Sequence, residues 1–297
     1  MTKNVFKSGM VALVGAPNVG KSTLLNTLLG QKISITSKKP QTTRNRILGV
    51  LDQPHAQMVF LDTPGIHRSN KPLNQRIVNL ALGTLGDVDL VMVMIDVALE
   101  QQEADALLLE KLKSVSTPSI LVLNKIDLIP KLKLLEMIKS WSAVHEFKAI
   151  VPVSALKGLQ MEELIQALIE ALPLGPPLYP PGTLTDMPER FIAAEMIREK
   201  AFRMTGAELP YAIAVSIDSY KEEKQGRLVK IHASINVEHN SQKGIVIGKG
   251  GVKLKQIGEA ARAEIERLVG CQVFLKLFVR VQKNWTKDTK ALQRFGY

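Results

Sequence analysis

The sequence predicts an α/β domain built on a mainly parallel sheet, followed by a smaller α+β domain. Three observations predict it. Short, β-branched apolar runs alternate with helix-sized segments through the first part of the chain. A glycine-rich turn joins the first of these runs directly to a helical stretch. A proline-rich stretch then separates this alternation from a segment with a different order of elements. The length of 297 residues suits two domains, at roughly 100–200 residues each. Apolar residues make up 45% and charged residues 23%, which excludes wholesale disorder.

Met10–Val14 reads as the first strand, and Ser22–Leu29 as the helix after the glycine turn. Ile47–Leu51 follows a polar, basic stretch ending at Arg46, and Asp52-Gln53-Pro54-His55 turns it into Ala56–Leu61 as a hairpin. Leu90–Val97, Ile120–Leu123 and Ile150–Val153 are further buried strands. Lys71–Leu85, Glu103–Lys113, Lys133–Val144 and Met161–Ala171 are the helices between and after them, so the sheet is covered on both faces. Leu172–Pro188 holds six prolines and two glycines, and carries neither a helix nor a central strand. It reads as a linker, with domains at residues 1–172 and 189–297 and the linker at 173–188. Beyond it come an amphipathic helix (Arg190–Arg203) and two alternating strands (Ala212–Tyr220, Leu228–Val237). A glycine loop, a helix (Val252–Leu268), a third strand (Gln272–Val281) and a basic tail complete an αββ-loop-αβ order.

Charge points to a polyanion. The formal charge is +11, divided unevenly. Residues 1–175 carry 19 basic against 15 acidic residues, net +4, and residues 176–297 carry 20 against 13, net +7. Ser241–Lys255 has four lysines and no acid, and Cys271–Tyr297 has six basic residues against Asp288. Two such patches in one half form a nucleic-acid footprint. The single cysteine, Cys271, makes no intramolecular disulfide or cysteine zinc site, and the five histidines have no metal-ligand spacing. The longest apolar runs, such as Leu90–Ile95, fall far short of the roughly 20 residues of a membrane helix. Met10–Val14 is too short for the apolar region of a signal peptide, so the chain is expected in the cytoplasm.

Gly15-Ala16-Pro17-Asn18-Val19-Gly20-Lys21-Ser22-Thr23 fits the phosphate-binding loop, between a strand and a helix as that loop requires. Glycines let successive N–H groups face a β-phosphate at the positive end of a helix. Lys21 brings a cation to the β/γ oxygens, and the Ser22 hydroxyl is a Mg²⁺ ligand. Asp62-Thr63-Pro64-Gly65 closes the Ala56–Leu61 strand, offering a carboxylate to Mg²⁺ through water and the Gly65 N–H to the γ-phosphate. Asn124-Lys125-Ile126-Asp127 closes another strand. Asp127 accepts from both N1–H and the 2-amino group of guanine, which adenine cannot offer, while Asn124 and the Lys125 stem brace loop and ring. Ser154-Ala155-Leu156 follows the next strand and supplies the Ala155 N–H to guanine O6. In Gln41-Thr42-Thr43-Arg44 a threonine hydroxyl binds Mg²⁺ while a γ-phosphate is present, Thr43 preferred and Thr42 the alternative.

In the second half, Ile245–Lys253 resembles the signature of KH RNA-binding domains, with Gly248-Lys249-Gly250-Gly251 as the loop approaching the RNA backbone, and the element order is that of a type II KH domain. Ile247, Lys253, Lys283 and Lys287 extend the RNA contact, joined by Lys290 and Arg294. Val246, Ile247 and Ile257 line the groove or form plain core, and Trp285 either stacks on a base or packs in its own domain.

Taken together, GAPNVGKS, QTTR, DTPG, NKID, SAL and GKGG resemble the Era family of bacterial ribosome-assembly GTPases over nearly the whole chain. The resemblance implies a P-loop GTPase domain and a type II KH domain. Its implied function is a GTP/GDP switch, using Mg²⁺, that binds small-subunit ribosomal RNA near its 3′ end and assists 30S maturation. It also implies a monomer with loose, peripheral association at the inner face of the cell membrane. Ile66 replaces the glutamine that orients attacking water in Ras-like enzymes, which implies slow intrinsic hydrolysis. Asn18 resembles the loop asparagine that helps bind K⁺ in GTPases with that replacement. Lys21, Thr43, Asn18 and Gly65 are therefore the expected catalytic set. The alternative is a nucleotide-insensitive RNA-binding module with a vestigial GTPase domain, against which intact Lys21, Ser22, Asp62 and Asp127 argue. A P-loop ATPase or small-molecule kinase is opposed by Asn124–Asp127.

Overall fold

The structure, a computed structural model, describes residues 6–36, 46–66, 83, 86–99, 102–205, 209, 213–223, 226–288, 291–292 and 295. The chain divides into two compact units, Met1–Ser34 with Thr43–Asp186 and Ile35–Thr42 with Met187–Tyr297.

In the first unit the apolar runs become strands because most of their side chains are buried on both sides, where β-branched residues pack well. These are β1 (Lys7–Gly15), β2 (Ile47–Gln53), β3 (Ala56–Asp62), β4 (Leu90–Asp96), β5 (Ser119–Asn124) and β6 (Ala149–Val153). Their order in the sheet is β2-β3-β1-β4-β5-β6, parallel except for the expected β2–β3 hairpin. Helices α1 (Lys21–Leu29), α2 (Gln102–Lys113), α3 (Lys131–Ser142) and α4 (Met161–Ala171) alternate with them. Neighbours of β1 lie on both sides, β3 and β4. The chain thus leaves β1 in opposite directions, and a ligand crevice opens at the carboxyl ends of the strands at such a switch point. Gly15, Asp62, Asp96 and Asn124 all end their strands there. The expected helix at Lys71–Leu85 lies outside the described residues, apart from Gly83.

The proline-rich stretch runs along the first sheet as far as Asp186 and is grouped with that unit. The Val50 N–H on edge strand β2 donates to Leu184 O (2.9 Å), and Thr185 Oγ1 donates to Leu48 O (2.6 Å). The buried Gln57 side chain accepts from the Leu178 and Tyr179 N–H groups and donates to Tyr179 O. Prolines cannot form a ladder, but Leu184 and Thr185 pair a backbone donor and a backbone acceptor on an edge that would otherwise leave them exposed.

The second unit contains α5 (Glu189–Met204), β7 (Ala214–Glu223), β8 (Leu228–Val237), α6 (Asn240–Ile247), α7 (Val252–Val269) and β9 (Gln272–Val281). The sheet order is β7-β8-β9, antiparallel then parallel. Helix α6 was not anticipated. It is only eight residues long, contains Gly244 and β-branched residues, and is held at its start by a capping box between His239 and Gln242. The charges buried on α5 are paired: Arg198 with Glu195 (2.6 Å), Glu199 with Arg203 (2.6 Å), and Lys200 with Glu264 of α7. No helix among the described residues is long and apolar enough to cross a membrane.

Candidate functional site

The loop between β1 and α1 needs its glycines. At Gly20 (φ 108°) a Cβ would lie 2.2 Å from Asn124 Nδ2, and at Gly65 it would lie 2.7 Å from Pro17 Cα. The Asp62–Gly65 turn is therefore packed against the loop backbone at Pro17, and the Asn124 side chain against the loop backbone at Gly20. Helix α1 begins at Lys21 with no side chain capping its N-terminus, the arrangement that receives an anion.

Lys21 is buried and its ammonium donates to Gly15 O and Ala16 O, each at 3.0 Å. Burial lowers its pKa to about 8, against the pull of Asp62 in the opposite direction. Asp62 is fully buried, and burial raises its pKa although Ser22 and Ser34 hydrogen bonds and Lys21 oppose the shift. Its Oδ2 accepts from Ser22 Oγ (2.6 Å) and Ser34 Oγ (2.7 Å), while its buried Oδ1 has no hydrogen-bond partner. A buried carboxylate oxygen without a partner, beside a serine hydroxyl, is a donor set suited to a hard divalent cation such as Mg²⁺. Thr42 and Thr43, the candidate third ligands, lie outside the described residues.

Asn124 ties the signatures together. Its Nδ2 donates to Val19 O (2.6 Å) and its Oδ1 accepts from the Ala155 N–H (2.9 Å). The Ala155 N–H, expected on guanine O6, is thus engaged here, and O6 recognition at this position requires exchange of that bond. Lys125, at φ 70°, donates to Asn18 O (3.0 Å) and pairs with the buried Asp96. Asp127 is held below the usual carboxylate range, chiefly by a hydrogen bond from Ser154 and more weakly by Lys157 at 3.7 Å. Asn18 is exposed at φ 65°, whereas Leu156 is 82% exposed beside the base loop. Ile66 is fully buried in the core and its N–H donates to Gly15 O (3.0 Å); its aliphatic side chain has no group to hydrogen-bond a water.

Several partners escaped the sequence reading. Asn26, one turn beyond Ser22, brackets the chain with Oδ1 accepting from the Ile33 and Ser34 N–H groups and Nδ2 donating to Ser34 O. Thr27 Oγ1 donates to Ala155 O (2.8 Å). Two residues beyond Ser34, Thr36 donates from N and Oγ1 to Glu199 Oε1, and its carbonyl accepts from Arg203. None lies in a recognisable motif; only spacing from Ser22 could have flagged Asn26.

The second candidate site is the loop between α6 and α7. At Gly248 (φ 71°) a Cβ would meet Lys253 Cβ at 2.7 Å, while Gly250 and Gly251 combine positive φ with open space around them. Lys249 is exposed, and Ile247 and Lys253 are half-buried beside the loop. Val246 and Ile257 are fully buried, so they are core. Trp285 must be corrected: it is completely buried, with Phe295 edge-on at 5.2 Å, and offers no face to a base. An indole in a basic tail looks exposed by its neighbours' polarity, yet its own large apolar area drives it inward. Lys283 is exposed, the Lys287 backbone lies in a short 3₁₀ turn, and Lys290 and Arg294 fall outside the described residues.

Residues 10–125 match the family described as 50S ribosome-binding GTPase, and residues 208–286 match the KH domain. GTPase Era of Geotalea uraniireducens (strain Rf4) is 52% identical over 297 residues, covering all of both chains. GTPase Era of Ruminiclostridium cellulolyticum is 46% identical over 292 residues, 98% of each. Among solved structures, Era in complex with MgGDPNP and nucleotides 1506–1542 of 16S ribosomal RNA superposes with a TM-score of 0.94 at 42% identity, covering 98% of this chain and 99% of that one. An Aquifex aeolicus Era variant bound to GDP·AlF4⁻ gives the same score at 41% identity and the same coverage.

Proposed function

The chain belongs to the Era family of GTPases, and we propose that it is a GTP-hydrolysing switch that binds small-subunit ribosomal RNA near its 3′ end and assists 30S maturation. The observation that carries the reading is the Asn124 bridge, which joins the phosphate loop at Val19 to the base loop at Ala155. A nucleotide spanning both is held at its phosphates and its base at once.

In the proposed division of labour, Gly15, Asn18, Val19, Gly20 and Thr23 wrap the phosphates with Lys21 as the cation. A triphosphate beside Lys21 favours its protonated form, offsetting the burial that lowers its pKa in the free protein. Asp127 reads guanine, Lys125 flanks the ring, and Ser154, Ala155 and Leu156 close over it. Ser22, Asp62 and Thr43 (or Thr42) would hold Mg²⁺, which when bound neutralises charge across the β- and γ-phosphate oxygens. Gly65 offers its N–H to the γ-phosphate. No residue need act as base, because phosphoryl transfer is mainly positioning and electrostatic stabilisation. Slow hydrolysis follows from Ile66, and Asn18 would help hold a K⁺ ion, which when bound would supply the charge that an arginine finger brings elsewhere. Equal rates in K⁺ and Na⁺, with Asn18→Ala unchanged, would refute the K⁺ assignment.

The RNA backbone follows Gly248–Gly251, with Ile247, Lys253, Lys283 and Lys287 beside it. Coupling runs along the chain: Ser34 answers to Asp62, and Thr36, two residues later, answers to Glu199 and Arg203. We place the protein in the cytoplasm as a monomer, with peripheral attachment to the inner membrane face as the family resemblance implies. The domains are assigned as 1–172 and 189–297 around the 173–188 segment. GTP turnover by the purified chain, abolished in Lys21→Ala, tests the enzymatic reading; equal turnover in both would sink it.

A further inference from the structure

The sheet of the second unit has two unlike faces. Val229, Ile231, Ala233, Ile235, Val237, Val273 and Val279 are all buried, and α5 and α7 cover that side. The alternate residues of β8 and β9 form the other face, where the parallel register sets Lys230 beside Phe274, His232 beside Lys276, the buried Ser234 beside Phe278 and the buried Asn236 beside Arg280. Phe274 is 50% exposed and Phe278 39% exposed. The His232 ring stands edge-on between them, 6.4 Å from each centroid. Lys276 Nζ lies 5.3 Å from the Phe278 centroid.

Isolated exposed apolar residues are ordinary, but two phenylalanines on one strand, bridged by an imidazole, form a patch. We propose that this face is a second RNA site, on which two bases of a single-stranded segment stack against Phe274 and Phe278. Charge selects this occupant. Strands β8 and β9 carry Lys230, His232, Lys276 and Arg280 and no acid. The two carboxylates on this face, Glu223 and Asp218, come from β7 and pair with Lys230 (2.7 Å) and Arg280 (3.2 Å). Along β9 the outward order is aromatic, cation, aromatic, cation, which mirrors the alternation of base and phosphate in a single strand. A protein partner would favour an interface core depleted of charge instead. Stacking tolerates any base, since each has a π-face, and sheet-borne aromatics flanked by cations are a general way to bind single strands. The site does not depend on the GKGG loop, which joins two helices, whereas this face is the side of the sheet that α5 and α7 leave open.

The test uses the full chain and a fluorescein-labelled 20-nucleotide oligouridylate, followed by anisotropy. Lys249→Asp/Gly250→Asp removes the loop's contribution and should leave residual, salt-sensitive binding. Adding Phe274→Ala/Phe278→Ala should weaken that residual binding by roughly tenfold or more. Phe274→Tyr/Phe278→Tyr should keep it within about twofold, and Phe274→Leu/Phe278→Leu should lose it as alanine does, because leucine is apolar without a π-face. Melting temperature and RNA-free GTP turnover report that the variants are folded. Loss of all RNA binding in the loop variant alone overturns the proposal, as does full binding by the leucine pair. An alanine pair with unchanged RNA affinity that no longer sediments with phosphatidylglycerol-containing vesicles also overturns it, assigning the face to lipid.

Discussion

Replacing Asn124 by alanine should damage the nucleotide site more than its size suggests. The side chain is buried, and both its partners are backbone groups of buried residues, Val19 O at 2.6 Å and the Ala155 N–H at 2.9 Å. Each such group left without a partner costs about 1–3 kcal/mol. Two of them set an upper range of roughly 2–6 kcal/mol, reduced to about 2–4 kcal/mol if one water enters the vacated space. In a domain of this size each kcal/mol lowers Tm by about 2–4 °C, so a fall on the order of 5–15 °C is expected. GDP affinity, measured with a fluorescent analogue, should drop by more than about tenfold, because the phosphate loop and the base loop lose their common anchor. Asn124→Asp keeps the acceptor for Ala155 but turns a carboxylate oxygen toward Val19 O, and should bind GDP no better than Asn124→Ala. A Tm within about 2 °C of the parent, together with unchanged GDP affinity, would refute the argument.

Four further outcomes are expected. Asp127→Asn should lose GTP and gain xanthosine triphosphate, measured by competition against labelled GTP; retained guanine preference would show that Asp127 does not read the base. Glu199→Gln removes a buried charge facing the half-exposed Arg203 (2.6 Å) and should cost about 1–2 kcal/mol, while shrinking any difference in RNA affinity between GTP-analogue and GDP states. Trp285→Ala should cost about 3–5 kcal/mol in urea unfolding, whereas Trp285→Phe should retain RNA affinity; loss of RNA binding in a fully stable Trp285→Ala would restore the stacking role. Asp105, its pKa pushed up to about 6 by burial and then by Asp96, binds a proton more tightly folded than unfolded, so its contribution declines as pH rises through 6. Asp105→Asn should therefore melt higher at pH 7.5, by about 1 kcal/mol after solvent screening, with the gain gone below pH 4; a pH-independent gain would contradict the assignment.

Much of the nucleotide site was legible because its chemistry is local. A tight turn that cradles phosphate must hold glycines at fixed steps from Lys21 and Ser22, and those steps survive in any sequence that binds this way. Strand ends were legible too, since Asp62 and Asn124 break apolar runs with a polar residue. The partners of those residues were not. Nothing near Asp62 announces Ser34, twenty-eight positions away, and nothing near Thr36 announces Glu199.

By itself, then, the sequence determined the class of each domain and pointed to the proposed guanine site and glycine loop, because period, turn chemistry and short motifs are properties of neighbouring residues. Tertiary structure alone decided burial and long-range pairing. It turned Trp285 into core, left Phe274 and Phe278 exposed, laid a proline-rich segment along a sheet edge and left one oxygen of Asp62 without a partner. The physical reason is that these outcomes depend on which surfaces meet after the chain has returned on itself, and an aromatic residue in a strand carries no local mark of the side it will face.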